Sequence, residues 1–515
     1  MSASHDYRRK IKTREELVQI LGARPRQKKI IMCHGTFDIV HPGHIRHLIY
    51  ARSKADQLLV SITSDLHINK ANYRPFVPQH LRAMNLAALE VVDYVVIDNN
   101  ATPIENIGII RPDYFAKGYE YSTDGIHPRT RAEIQAMESY GGEIIFTPGD
   151  VVLSSSAIIE DEPPKIAAEK LHTLMEAEGI HFSDLRTALN KFTEARIHVV
   201  GDTIVDSYTY ASLIGANAKT PTFSVKFQHQ TDYSGGAAIV AKHMRATGAQ
   251  VDFTTVMGDD ALMEFVRKDV TDAGINTHVL VDKTRPTTQK NLFIADGYRM
   301  LKVDKIDNRP ISERLVEKVK EQIASQTNVH AVVFSDFRHG IFNRHTIPIL
   351  ADAIPKDVLR VADSQVASRW GNILEFQHFD LLTPNEREAR FALGDQDSVI
   401  RPLAYELYRK ASCKVLILKC GSRGSLTYRK DSADDMRAFF ALDSFVHHLV
   451  DPVGAGDALL AYSTLALVST RSPVIASILG SMAASVACER DGNVPITPAD
   501  INKMIDRVEK QVTFE

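Results

Sequence analysis

Cysteine is scarce in this chain: Cys33, Cys413, Cys420 and Cys488 are the only four in 515 residues, and none form a C-x-x-C pair. That excludes a disulfide framework and a paired-thiolate metal site, and it predicts a reducing, cytoplasmic setting. Net charge is also lacking, since 61 basic residues meet 64 acidic ones. A general electrostatic footprint for nucleic acid is therefore not expected, although a local cluster of donors can still hold a small anion. Long apolar runs are missing too. The most apolar late stretch, residues 474–487, is broken by Ser477, Gly480, Ser481 and Ser485. It is shorter than the roughly 20 residues a membrane span needs, so it predicts a buried helix. Residues 1–12 are polar and basic with no apolar segment behind them, which argues against a secretory signal. No internal repeat or low-complexity tract is visible.

What is present is globular. The hydrophobic fraction is 44% and the charged fraction 24%, and 515 residues exceed one ordinary core, so two units are expected. Thr13 and Glu16 have capping-box spacing ahead of an apolar stripe, which makes residues 1–27 a helical extension. Strands are predicted over 29–34, 57–63, 94–97 and 143–147, and helices over 42–55, 81–90 and 131–139. This alternation implies a parallel sheet with crossover helices over residues 28–159, resembling a Rossmann-like unit. Pro163 and Pro164 sit in an acidic stretch that marks a boundary, followed by an amphipathic, docked helical linker over 160–195. A second α/β series, with apolar strands at 197–201, 331–334, 358–362 and 415–419, fills residues 196–515.

The first chemical centre lies between a strand and a helix. Gly35-Thr36-Phe37-Asp38 closes the strand and His41-Pro42-Gly43-His44 opens the helix, so two imidazoles stand beside free backbone N–H groups. This suits attack by a phosphate oxygen on the α-phosphorus of a nucleoside triphosphate. The nucleophile is already ionised, so the chemistry needs hydrogen-bond donors for the charge on the phosphoryl oxygens and not a base. An isolated H-x-x-H pair also suits metal ligation or a solvated surface; the strand–turn–helix setting favours the phosphate site.

These residues resemble the cytidylyltransferase-like nucleotidyltransferases, which include glycerol-3-phosphate cytidylyltransferases and the adenylyltransferase half of bacterial heptose enzymes. The resemblance implies a clamp from His41 and His44, with Thr36, Phe37, Lys70, Arg82, Lys117, Ser154, Ser155 and Ser156 around the nucleotide and its phosphates, and Arg74 among the basic contacts. The arginine common in the cytidylyl branch is absent where Val151, Val152 and Leu153 stand, which favours ATP while leaving CTP open.

The second centre is Asp451-Pro452-Val453-Gly454-Ala455-Gly456-Asp457 ahead of an apolar helical run. Small residues let backbone N–H groups reach a transferred phosphoryl group, and Asp457 is placed to take the proton of an attacking sugar hydroxyl. A tight turn with a helix cap is the plain alternative. The order of the other pieces resembles the ribokinase-like carbohydrate kinases. That resemblance implies sugar contacts at Asp206, Gly235 and Gly236, and organisation of Mg²⁺ and triphosphate by Asn385 and Glu388, the metal being held indirectly. It further implies a nucleotide border at Lys419, Gly421 and Gly424, and an anion hole at Gly454, Ala455 and Gly456. Asn493 is a weaker candidate.

The whole chain resembles the bifunctional heptose-7-phosphate kinase and heptose-1-phosphate adenylyltransferase family, with the domain order reversed. Its departures fall where sugar should bind: Ile239 stands where asparagine is usual, His339 where lysine is usual, and Ser364-Gln365 for a Pro-Lys pair. The expectation is a bifunctional enzyme of nucleotide-sugar synthesis that uses ATP, Mg²⁺ and a sugar or sugar phosphate. It is expected to form a homo-oligomer and to have no nucleic-acid or membrane partner. Two alternatives stand: a polyol-phosphate cytidylyltransferase fused to an unrelated sugar kinase, and a non-catalytic nucleotide or sugar sensor.

Overall fold

The computed structural model describes residues 7–68, 75–118, 128–147, 167–217, 222–326, 328–365, 372–429 and 438–512. They form two compact units, Met1–Ile166 and Ala167–Glu515. In the first, β1 (Ile30–Gly35), β2 (Gln57–Thr63), β3 (Tyr94–Asp98), β4 (Tyr114–Gly118) and β5 (Glu143–Thr147) make an all-parallel sheet of order β3-β2-β1-β4-β5. Its helices are α1 (Arg14–Leu21), α2 (Pro42–Arg52), α3 (Gln79–Ala87), α4 (Ile104–Ile110) and α5 (Pro128–Glu138).

Strand alternation divides this core in two. Ile31, Cys33, Leu58, Val60 and Ile62 pack with Leu48 of α2 and Leu86 of α3 on one face. Ile30, Met32 and Leu59 pack on the other with Leu17 and Leu21 of α1, Ile107 and Ile110 of α4 and Met137 of α5. The expected capping box on α1 is present, from Thr13 and Glu16. The helix it starts packs into the core through Leu17 and Leu21, so α1 is part of the unit. α4 and β4 were not anticipated. Both are short, and the apolar face of α4 is two isoleucines, too few to show a period. β4 lies on the opposite side of β1 from β2, so the strand order reverses between β1 and β4, the position at whose carboxyl ends open α/β sheets bind ligands.

The second unit begins with α6 (Ala167–Glu178) and α7 (Phe182–Lys191), whose Leu171, Met175, Leu185 and Leu189 enter the large core. The described part of the predicted linker, α6 and α7, thus packs into this unit. Lys170 pairs with Asp443 at 2.8 Å, and Arg429 reaches Glu178 at 2.8 and 2.9 Å.

Then follow β6 (Arg196–Gly201), β7 (Thr203–Asn217), β8 (Thr222–Gly236), α8 (Ala237–Ala246), β9 (Gln250–Met257), α9 (Ala261–Asp272), β10 (Asn276–Val281), β11 (Gln289–Ala295), β12 (Tyr298–Lys305), α10 (Glu313–Ala324) and β13 (Ala331–Asp336). The chain continues through α11 (Thr346–Asp352), β14 (Leu359–Ser364), β15 (Leu381–Leu382), α12 (Glu386–Leu393), α13 (Ile400–Ala411), β16 (Val415–Lys419), β17 (Ser425–Arg429), β18 (Phe439–Leu442), α14 (Ala455–Thr470), α15 (Pro473–Cys488) and α16 (Pro498–Val512).

The main sheet runs β10-β9-β6-β13-β14-β15-β16-β17-β18 and is parallel as far as β16. Parallel pairing puts the ends of β6, β13, β14, β15 and β16 on one edge. The apolar stretch over 474–487 is the buried helix α15, as its composition indicated. Among the described residues no helix is long and apolar enough to cross a membrane. A separate four-stranded sheet, β12-β11-β7-β8, was not anticipated. β12 is exposed along its whole length, so its sequence carries no alternating burial to read.

Candidate active sites

In the first unit the residues after β1 converge as the motif suggested. His41 is the N-cap of α2, and its Nδ1 accepts the N–H of Gly43 at 3.2 Å. The neutral ring therefore carries its proton on Nε2, which is left as a donor. The His44 ring stacks on His41 with centroids 3.9 Å apart, and Phe37, at φ 49°, packs on its other side at 5.0 Å. Burial first, then His41 and His47, pushes His44 down to about 4, with a backbone contact to Ile39 opposing; burial also lowers His41. Both shifts favour neutral rings.

Asp38, given no role beforehand, is buried and accepts the N–H groups of Phe76 and Val77 at 2.9 and 2.7 Å, tying that loop to the motif. Lys117, at the end of β4, bonds Thr130 at 3.1 Å and forms an ion pair with Glu133 of α5. Arg82 corrects the sequence reading. It was placed among the phosphate contacts, yet its side chain is fully buried. The guanidinium donates to Val77 O at 2.9 Å, Thr63 O at 2.8 Å, Asp65 at 2.6 Å and Thr36 O. It braces the carboxyl ends of β1 and β2. Lys70, Arg74 and Ser154, Ser155 and Ser156 lie outside the described residues.

The second site gathers at the shared carboxyl edge. Gly454 caps α14 with φ 79°, and Asp457 sits in the first turn, 8% exposed. Burial, then Asp363, pushes the Asp457 carboxyl up to about 8, with Asp206 adding to the rise while Lys419 and Lys290 pull it down. Lys419 Nζ bonds both oxygens of Asp363 at 2.9 and 3.0 Å, and it stands 3.2 Å from where a Cβ on Gly456 would be. The lysine and the start of α14 therefore face the same space.

Asn385 and Glu388 form the capping box of α12. Asn385 N donates to Glu388 at 2.7 Å, Asn385 Nδ2 donates to it at 2.6 Å, and Glu388 N donates back at 2.9 Å. Burial raises the Glu388 carboxyl, with Asp363 adding and Lys419 opposing. Gly424, at φ 84°, closes the turn after β16, where a Cβ would meet Leu442 O at 2.0 Å.

On the sugar side, Asn493 donates to Asp206 at 2.8 Å. A Cβ on Gly235 would fall 2.2 Å from Asp206 Oδ2, and one on Gly454 2.8 Å from Asn493 Oδ1. Asp206, Gly235, Asn493, Gly454 and Asp457 thus share one pocket. Gly236 caps α8 at φ 62°. Ile239 on that helix is fully buried and offers no hydrogen bond to a hydroxyl.

Asp363 and Lys290 were missed. Each is one charged residue at the end or side of a strand with no motif around it, and only the sheet brings it to the site. Among the described residues no three His, Cys, Asp or Glu side chains converge as metal ligands. Asp363 and Glu388 nevertheless leave buried negative charge beside a single lysine, a donor set that fits Mg²⁺ reached through water and triphosphate oxygens.

The family profile for pfkB carbohydrate kinases matches residues 194–500. The chain belongs to the pfkB family. Its pfkB unit has the fold of phosphofructokinase-2 from Escherichia coli, with a TM-score of 0.51 at 18% identity, covering 61% of this chain and 99% of that one. The cytidylyltransferase-like profile matches residues 32–161, so that domain precedes the pfkB domain here. Curated relatives include a bifunctional protein HldE from Desulfatibacillum aliphaticivorans, 26% identical over 338 residues, 64% of this chain and 66% of that protein. Another, from Pelobacter propionicus, is 37% identical over 145 residues, 28% of this chain and 29% of that protein. Each match spans less than two-thirds of the relative's own length.

Proposed function

We propose that the chain makes a nucleotide-activated sugar in two steps. In the pfkB unit the anomeric hydroxyl of a sugar or sugar phosphate attacks the γ-phosphorus of ATP. Asp457 takes its proton, the α14 start and Lys419 face the transferred group, and ADP leaves. Mg²⁺, reached through Asp363 and Glu388 by way of water, would supply charge neutralisation on the triphosphate.

In the first unit the sugar 1-phosphate attacks the α-phosphorus of a second nucleoside triphosphate, ATP in preference to CTP, and pyrophosphate departs. Donors from His41, His44 and the α2 start meet the charge on the phosphoryl oxygens. Heptose 7-phosphate is the leading substrate by resemblance, with the nucleotidyltransferase placed ahead of the kinase. The presence of both a cytidylyltransferase-like and a pfkB domain in one chain, with bifunctional proteins among its relatives, supports the coupling.

The observation that carries this reading is the contrast between the centres. One has two neutral imidazoles at a helix start, as an ionised nucleophile requires. The other has a buried carboxylate at a helix start, as a hydroxyl nucleophile requires. Mass spectrometry of products from the protein with Mg²⁺, ATP, CTP and a panel of sugars and sugar phosphates tests it. A sugar 1-phosphate that proceeds to an ADP- or CDP-sugar is expected. Phosphorylation and nucleotidyl transfer on unrelated substrates would replace it with the uncoupled reading.

A further inference from the structure

α2 carries a third histidine beyond the His41–His44 pair. His47 follows His44 by three residues, which makes the two neighbours on the helix surface. Its Nδ1 lies 2.7 Å from the Oγ1 of Thr147, the buried last residue of β5. The same hydroxyl donates to Lys117 O at 3.2 Å. A carbonyl oxygen only accepts and a hydroxyl has one proton to give, so that proton goes to Lys117 and Thr147 accepts from His47. The bonds therefore run one way, from His47 Nδ1–H to Thr147 Oγ1 and from Thr147 O–H to Lys117 O.

Three elements meet in these two hydrogen bonds. α2 presents the paired imidazoles, and β4 ends in Lys117, whose ammonium bonds Thr130 at 3.1 Å and pairs with Glu133 of α5. β5 lies parallel to β4, with Thr147 opposite Gly118. The apolar side of α2 is secured elsewhere: Leu48 and Ala51 sit in a core cluster drawn mainly from β1, β2 and α3. In strand order β2 and β5 lie on opposite sides of β1. Apolar burial is non-directional, so on its own it leaves the start of α2 able to slide along the sheet. Two hydrogen bonds in series are directional, and they tie α2 to the ends of β5 and β4, across the place where the strand order reverses.

Resting on the nucleotidyltransferase reading of the first unit, we infer that His47 is a positioning residue for nucleotidyl transfer. Through Thr147 it sets the place of the His41–His44 clamp relative to Lys117, so that both reach one bound nucleotide. His47 itself touches no reacting atom. Its contribution is alignment, and a small misplacement of a clamp that acts in the transition state slows the chemical step more than it weakens binding.

The test measures pyrophosphate release by the full-length protein with Mg²⁺, ATP or CTP, and mannose 1-phosphate, glucose 1-phosphate or a glycero-manno-heptose 1-phosphate. The nucleotide and sugar pair that the wild type turns over fastest is then used throughout. His47→Leu should lower kcat at least about tenfold while the KM for the sugar 1-phosphate changes less than about twofold. His47→Asn, whose side-chain N–H sits close to where Nδ1 does, should recover most of that loss. Thr147→Val should reproduce the leucine effect, and the double variant should be no slower than either single one, because both remove the same link. Should the leucine variant fail to fold, the Thr147 pair decides: valine should slow release and serine should spare it. A wild-type kcat in His47→Leu, or losses that multiply in the double variant, overturns the inference and leaves the nucleotidyltransferase reading standing. A fall in thermal stability with unchanged kinetic constants does the same. Turnover of no sugar 1-phosphate by the wild type overturns both.

Discussion

Individual side chains in this protein divide by whether their polar groups are already satisfied. His44 and Asp457 keep capacity for a ligand, whereas Arg82 is fully buried and makes four hydrogen bonds within the protein. His44→Ala removes one donor from the α2 start, so pyrophosphate release should fall about 10²- to 10³-fold while sugar phosphorylation continues, measured by separate pyrophosphate and ADP assays. Burial pushes the Asp457 carboxyl up to about 8. As a base it works only when ionised, so kcat/KM of the kinase step should rise with pH and level off above about 8.

The sign for stability is the opposite. A raised carboxyl pKa favours folding fully below the unfolded value near 4, and that contribution is lost as pH rises towards 8. Asp457→Asn should therefore abolish phosphorylation and raise thermal stability relative to wild type, by more at pH 8 than at pH 5. Arg82→Ala should destabilise the first unit by about 3–5 kcal/mol, because it removes the cation paired with Asp65 and a donor to three carbonyls; denaturant unfolding checks this. A phosphate-contact role would instead raise the KM for nucleotide at unchanged stability.

Among the elements, helix starts and glycine turns set the chemistry. The Asn385–Glu388 capping box both starts α12 and fixes the Glu388 carboxylate. Asn385→Ala should cost about 1 kcal/mol of stability and also raise the Mg²⁺ concentration needed for half-maximal kinase rate, read in a metal titration. Gly235→Ala would drive a methyl into Asp206 and should weaken sugar binding with little effect on nucleotidyl transfer. The elements themselves were unequally legible. β1, β2, α2 and α15 were readable because each has a buried run or a cap next to a motif. β4, α4 and the four-stranded sheet were not: the first two are too short for a period, and β12 has no buried face to give one. Lys290, a charged residue of that sheet, was missed for the same reason.

For the molecule as a whole, the two centres lie in separately folded units, and this allows a complementation test. Mixing Asp457→Ala protein with His44→Ala protein should restore nucleotide-sugar formation if the sugar 1-phosphate is released, with mass spectrometry of products as the measure. The amino-acid order alone determined the two-unit α/β plan, the histidine pair at the first helix start and the Gly-Ala-Gly-Asp start of α14, since each rests on residues adjacent in the chain. Only the tertiary structure decided that Arg82 is a buried brace and that Asp363 and Lys419 pair beside Asp457. Those roles depend on burial and on partners tens to hundreds of residues away, and parallel strands bring such residues to one edge without leaving a local pattern.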